Sequence, residues 1–397
     1  VRPGLVLQHG AERSIDNSKV RSDIAGFIGI VPKARWPKNV KLGDFLEYPL
    51  FSFHELATSP ARVLFDSVTR RAVKAFFDNG GVECRLFGLM VSSEQDLMVN
   101  DPFGMLFHPL IDRLRGQEDI GMICMPVLGY IPINFVSGNQ VVVPCQPIWE
   151  MLLLHCQEMN NRFLIMDTPR DLHGPALMSW VMRFRTKMKH ASSFAAIYYP
   201  WLMAGDVDMP PSGSMAGVYA GLEHKYNPYG VRWPPANLAI KGATHTATEV
   251  LWKEMGDFTE CGINPIIFET GRGVVIWGAR TLSESDEWKH INTRRIVSYI
   301  REQLYRDSAW AVFENNNRDL WKILERVVSY RLQQCGEGGL LAGTEDGADY
   351  IVKCDSETNR KEIVNAGQIH VRVWIRPVST TERILVDMRL GANDMSL

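Results

Sequence analysis

Ile120-Gly121-Met122-Ile123-Cys124-Met125-Pro126-Val127, Phe163-Leu164-Ile165-Met166 and Phe194-Ala195-Ala196-Ile197-Tyr198-Tyr199 are three apolar runs without a charge. Helical patterns near Ile148–Met159 and Ala176–Met188 separate them. Strands alternating with helices at this spacing predict βαβ units and a largely parallel sheet. Such a sheet is covered on both faces, so its strands read as unbroken apolar runs.

Working toward the N-terminus, Ile24–Val31 is another apolar strand, bounded by Asp23 and Pro32. A helix is expected at about Arg62–Asn79, where Leu64, Val68, Val73, Phe76 and Phe77 recur at helical spacing and Gly80-Gly81 supplies the stop. Val82–Phe87 alternates as a strand should. Residues 1–20 read as an arm, with Leu5-Val6-Leu7 as a short strand.

The texture changes at about Gly262. Ile266–Phe268 and Val274–Trp277 read as strands, and helices follow at about Asn292–Tyr305 and Arg318–Leu332. The chain ends in two strand-like segments, Ile369–Ile375 and Thr381–Leu390, the second placing Ile384, Val386, Met388 and Leu390 on one face. The expected organisation is α/β (α+β) in two modules. An arm at 1–23 leads into an outer α/β domain at 24–261, with strand 24–31 assignable to either module. An inner α+β domain at 262–380 and a second arm at 381–397 follow.

Composition narrows the function. The 397 residues, 46% hydrophobic and 22% charged, suffice for two cores. A net charge of -2 argues against a nucleic-acid binder, which presents a strongly basic face. Seven scattered cysteines form no CxxC pair and are expected to be buried free thiols of a reducing cytoplasm. The uncharged stretch Ile120–Trp149 is broken by Pro126, Pro132, Pro144 and Pro147, so it is not a spanning helix. No signal peptide is visible, and a soluble protein made in the cytoplasm is expected.

Catalytic signatures are sparse. His54-Glu55 begins an HExxH pattern, but Thr58 stands where the second His belongs. Asp167 follows a strand, at the end where open α/β sheets bind ligands; the plainer reading is a cap or turn. Gly271-Arg272-Gly273 has the form of a turn before a strand and lacks the Lys of a phosphate loop. His245 and His290 belong to no recognisable motif, and Glu345–Asp349 lacks the oxygen ladder of a calcium loop. No catalytic residue, metal site or cofactor is expected.

Several segments, in order, resemble the contractile tail sheath proteins of phage tails, R-type pyocins and extracellular contractile injection systems. They are Pro3-Gly4-Leu5-Val6, Ile24-Ala25-Gly26-Phe27-Ile28-Gly29 and Val73–Gly81, then Ser193–Trp201, Pro210–Ala220 and Gly230–Asn237. The strongest is Gly271-Arg272-Gly273-Val274-Val275-Ile276-Trp277-Gly278-Ala279-Arg280-Thr281-Leu282, continued by Trp288, Ile291–Arg295 and Trp310–Asn316. The segment from Ser92 to Pro147 has no such counterpart.

The resemblance implies a structural subunit that forms stacked helical six-fold rings around an inner tube and contracts to drive the tube through an envelope. It implies terminal arms exchanged between neighbours, so Leu5, Val6, Leu7, Ile384, Val386, Met388 and Leu390 are expected to pair with strands of other copies. The implied partners are further copies of the chain, the tube protein, and baseplate and cap proteins, with no nucleic acid bound directly. Assembly in the bacterial cytoplasm, and later residence in a virion or tail-like particle, is implied too. Arg294, Arg295, Arg301, Arg318, Lys322 and Arg326 on the two late helices are candidates for meeting an acidic tube. A sheath-terminating cap or minor isoform, and an α/β enzyme with a pocket near Asp167, stand as alternatives.

Overall fold

The structure, a computed structural model, describes residues 20–97, 107–136, 140–343, 349–380 and Glu382. Its central sheet contains β1 (Ile24–Pro32), β2 (Phe45–Leu50), β3 (Cys84–Val91), β4 (Ile120–Cys124), β5 (Phe163–Asp167), β6 (Ala195–Tyr199), β7 (Ile263–Glu269) and β8 (Gly273–Ile276). They lie in the order β8-β7-β6-β5-β4-β1-β3-β2. The six inner strands are parallel, and β2 and β8 are antiparallel edges.

The helices of eight residues or more are α1 (Ser67–Asp78), α2 (His108–Arg115), α3 (Gln146–Met159), α4 (Gly174–Lys187), α5 (Pro211–Lys225), α6 (Trp252–Glu260), α7 (Ile291–Ser308) and α8 (Arg318–Glu337). Side chains alternate across a strand, and β1 shows why its run is apolar throughout. Ile28 and Ile30 enter the core shared with α2, α3, α4 and α6. Ala25 and Phe27 enter the opposite core, shared with α1 and α5. Burying Phe27, Ile28 and Ile30 contributes about 1.5–3 kcal/mol each, as their side chains leave water.

Helix α5 has no hydrophilic face to betray it: eleven of its fifteen residues are buried. Its glycines let it approach α1 closely. A Cβ on Gly213 would stand 2.2 Å from the Ala72 carbonyl oxygen, and one on Gly217 2.4 Å from that of Phe76. The helix expected at 62–79 is broken. A short turn at Ala61–Leu64 ends before Asp66, which caps α1 by accepting from the Thr69 N–H (2.7 Å) and also receives the Ile30 N–H at 3.0 Å.

The expected division at 261/262 needs correction, because β7 pairs in parallel with β6 and β8 closes the same sheet. The change of layer comes after Ile276, and strand 24–31 lies within this sheet. The outer edge of β8 is covered by residues 237–240, through Asn237 N–H to Ile276 O (2.7 Å) and Ile240 N–H to Val274 O (2.8 Å).

Beyond the sheet, α7 and α8 pack against a two-stranded antiparallel hairpin, β9 (Tyr350–Lys353) with β10 (Arg372–Ile375). Ile296, Ile300, Val328 and Leu332 form this smaller core with Val20, and Tyr350, Val352, Val373 and Ile375 close it. The seven thiols are free, and all but Cys261 are buried. Burial pushes those of Cys145, Cys156 and Cys335 up to about 12. Among the described residues no helix is long and apolar enough to cross a membrane.

Candidate functional site

Val20–Asp23, the first described residues, are tied down by charge. Arg21 donates to both oxygens of Asp23 (3.0 and 2.8 Å) and to Glu83 (2.5 Å). Glu83 also meets Arg85 at 3.1 Å, and Asp23 meets His224 Nε2 at 3.1 Å. Burial opposes the Asp23 charge, but the Arg21 guanidinium holds its carboxyl below the usual range.

Ser22 is gripped from two elements. Its hydroxyl donates to Glu223 at the end of α5, and its carbonyl accepts from Arg295 Nη2 of α7 at 3.3 Å. Arg295 also pairs with Glu223, and its guanidinium lies 4.8 Å from the centre of the Tyr219 ring. Burial pushes the Glu223 carboxyl up, and the Arg295 charge pulls it back. The Ser22 backbone runs against β4 so closely that a Cβ on Gly121 would come within 2.3 Å of the Ser22 carbonyl oxygen.

Helix α7 also holds Val378–Thr380, near the other end of the described residues. The Asn292 side chain donates to Val378 O (3.4 Å) and to Arg232 O (3.3 Å), and accepts from Thr380 Oγ1 (2.8 Å). Glu382 receives Arg280 Nε and Nη2 at 2.8 and 2.5 Å, which lowers its carboxyl pKa against the cost of burial. His290, at the N-cap of α7, stands 3.6 Å from Glu382.

Beside these segments lies the β9–β10 hairpin. The outer edge of neither strand is paired among the described residues. Its inner face closes the small core, and its outer face exposes the cross-strand pair Ile351 and Trp374. An unpaired edge offers N–H and C=O groups to an added strand.

The sequence-based candidates fare unequally. Leu5, Val6, Leu7, Ile384, Val386, Met388 and Leu390 lie outside the described residues. Arg294 and Arg295 are corrected: both are buried, so neither presents a free charge to a partner. The Arg294 guanidinium sits 3.7 Å from the Trp288 ring centre and 4.2 Å from that of Phe194, and burial lowers its pKa to about 10. Arg301, Arg318, Lys322 and Arg326 are exposed, the last three at successive four-residue steps on α8.

Asp167 is a cap for a distant helix. It accepts the Ser212 N–H (2.7 Å) and hydroxyl (2.6 Å) at the start of α5, and burial raises its pKa to about 7. The strand ends around it are filled. The Tyr130 and Trp201 rings meet edge-on at 4.6 Å, Arg71 donates to the Tyr130 hydroxyl at 3.1 Å, and Arg170 pairs with Asp208. Glu55, of the incomplete HExxH pattern, accepts from the Phe51 N–H at 2.7 Å. Gly271-Arg272-Gly273 forms the β7–β8 turn, both glycines having positive φ. Arg280 and Asn292 are legible in the sequence only as members of the quoted segments; no local pattern singles them out.

Residues 283–391 match the phage tail sheath C-terminal domain. The tail sheath protein of Vibrio phage KVP40 is 20% identical over 191 residues, covering 47% of this chain and 27% of that protein. The match to this relative thus spans little more than a quarter of its length. The anti-feeding prophage helical sheath in its contracted state superposes with a TM-score of 0.71 at 20% identity, over 95% of each chain. The contracted sheath complex of the extracellular contractile injection system PVC gives 0.71 at 24% identity, over 96% of this chain and 95% of that one. The chain thus resembles the contractile tail sheath proteins in two respects: its fold is that of the solved sheaths, and its residues 283–391 are similar to the phage tail sheath C-terminal domain.

Proposed function

We propose that this chain is the sheath subunit of a contractile injection particle and acts only as a polymer. Copies form stacked helical six-fold rings around an inner tube, and contraction of the stack drives the tube through a target envelope. The terminal strands Leu5–Leu7 and Ile384–Leu390 add to the edges of β9 and β10 in neighbouring copies, so subunits stay linked while their bodies rotate. Head-to-tail links of this kind build open helical filaments. The observation that carries the reading is that both chain ends are rooted on α7, next to a hairpin with unpaired edges.

No nucleotide or catalytic group enters this mechanism. An extended lattice held by tube contacts releases stored energy when triggered, and a few kcal/mol per subunit suffices because many subunits move together. Arg301, Arg318, Lys322 and Arg326 form the tube-facing surface and require acidic complements there. Baseplate and cap proteins close the two ends of a particle that assembles in the bacterial cytoplasm.

Negative-stain microscopy of the purified chain tests the proposal. Long hollow tubes are expected. Single rings would favour a terminating cap, and discrete monomers at all concentrations would contradict polymer action.

A further inference from the structure

The connection between α7 and α8 ends in an apolar tip that points into solvent. Tyr305 and Ala309 lie one turn apart, and Val312 follows on the same side, because the short turn Ala309–Ala311 prolongs α7. All three are exposed, Tyr305 at 71% and Val312 at 63%. Phe313, next in the chain, is fully exposed at 103%.

The tip is held out by the structure behind it. The Val312 N–H donates to Ala309 O (3.3 Å) and the Glu314 N–H to Ala311 O (3.2 Å). Trp310 packs against Leu320, Trp321 and Leu324, and the Asn316 amide joins Trp321 Nε1 to Gln368 O at 2.8 Å each. Phe313 adopts a φ of +71°, a left-handed backbone unfavourable for a bulky residue. Such strain persists where the surroundings impose it, and it clusters at functional positions. The isolated subunit gains nothing by burial from a phenyl ring fixed in water.

The flanks of the tip are basic. Arg301 stands one turn before Tyr305, and exposed Arg318, Lys322 and Arg326 run along α8 from its first turn. Glu314 and Asp319 also lie along it, leaving the cations in excess. An apolar centre inside a charged rim is the anatomy of a docking surface, and this rim requires carboxylates opposite.

We propose that Phe313, with Val312 and Tyr305, is the apolar anchor of the tube contact, seated in an apolar pocket ringed by carboxylates on the inner tube. This rests on the reading of Arg301, Arg318, Lys322 and Arg326 as the tube-facing surface. The cations steer and orient the approach, and the ring supplies the desolvated centre.

Phe313→Asn in the full chain gives the test, since Asn accepts a left-handed backbone and the exposed ring takes no core contact with it. In co-sedimentation with inner tubes stripped from the native particle, binding is expected to weaken about 30-fold with its salt dependence unchanged. Phe313→Leu is expected to bind nearly as the parent does. Polymerisation of the Asn variant alone is expected to match the parent. Tube binding by Phe313→Asn equal to the parent's overturns the anchor while the basic surface stands. Lost polymerisation without tubes overturns it too, by assigning the tip to a second copy. A parent chain that binds no tubes overturns both the anchor and the reading beneath it.

Discussion

Asn292 and Arg295 stand three residues apart at the start of α7, and between them they hold both ends of the chain body. Asn292 binds Val378 and Thr380 on the way out, and Arg295 binds Ser22 on the way in. Residues three apart lie on one side of a helix. The same helical turn thus holds residues at both margins of the described chain.

Arg295→Met is expected to destabilise the fold by about 3–5 kcal/mol, because it leaves Glu223 enclosed without its cation. Pairing it with Glu223→Leu restores most of that loss, since a hydrophobic substitute for a buried pair is often tolerated. Denaturant melts of the two variants check this.

The pair at the other margin behaves differently. Arg280 and Glu382 are partly exposed, so solvent screens them, and Glu382→Gln costs at most about 1 kcal/mol of global stability. Its expected effect is local: faster hydrogen exchange at 376–380 with an unchanged melting midpoint.

Much of this was legible in the sequence. The runs at Ile120, Phe163 and Phe194 betray the parallel sheet because strands buried on both faces must be apolar throughout. Helix α5 was not legible by periodicity, since a helix buried on every side loses its polar face. The edge strand Phe45–Leu50, with Glu47 and Pro49, likewise lacked a run. Arg294 and Arg295 misled because a charged residue on a helix reads as exposed, and nothing local announces Trp288, Phe194 or Glu223 as partners.

The glycines of α5 yield a sharp expectation. Gly217→Ala improves helix propensity by about 1 kcal/mol yet drives a methyl into the Phe76 carbonyl. Net destabilisation of about 1–3 kcal/mol is expected from overpacking, measured by thermal unfolding.

Asp167 predicts a pH dependence. Its folded pKa of about 7 lies above the ordinary 3.8, so the folded state holds a proton that the unfolded chain has released. Its contribution is full below the unfolded value and is lost as pH rises through about 4 to 7, by at most about 1.4 kcal/mol per unit. Asp167→Asn should flatten that part of the stability profile.

On α8, reversal of Arg318, Lys322 and Arg326 to Glu should leave the circular dichroism spectrum and melting midpoint unchanged, because all three are exposed. Assembly around the tube should fail. Normal tube-bound sheath from this variant would remove the charged face from the account.

Deleting residues 1–19 together with 383–397, then imaging the purified body beside the full chain, bears most directly on polymer action through exchanged arms. A cooperative melt like that of the parent, with only discrete particles on the grid, is the predicted result. Filaments of normal length and diameter from the trimmed body would contradict it.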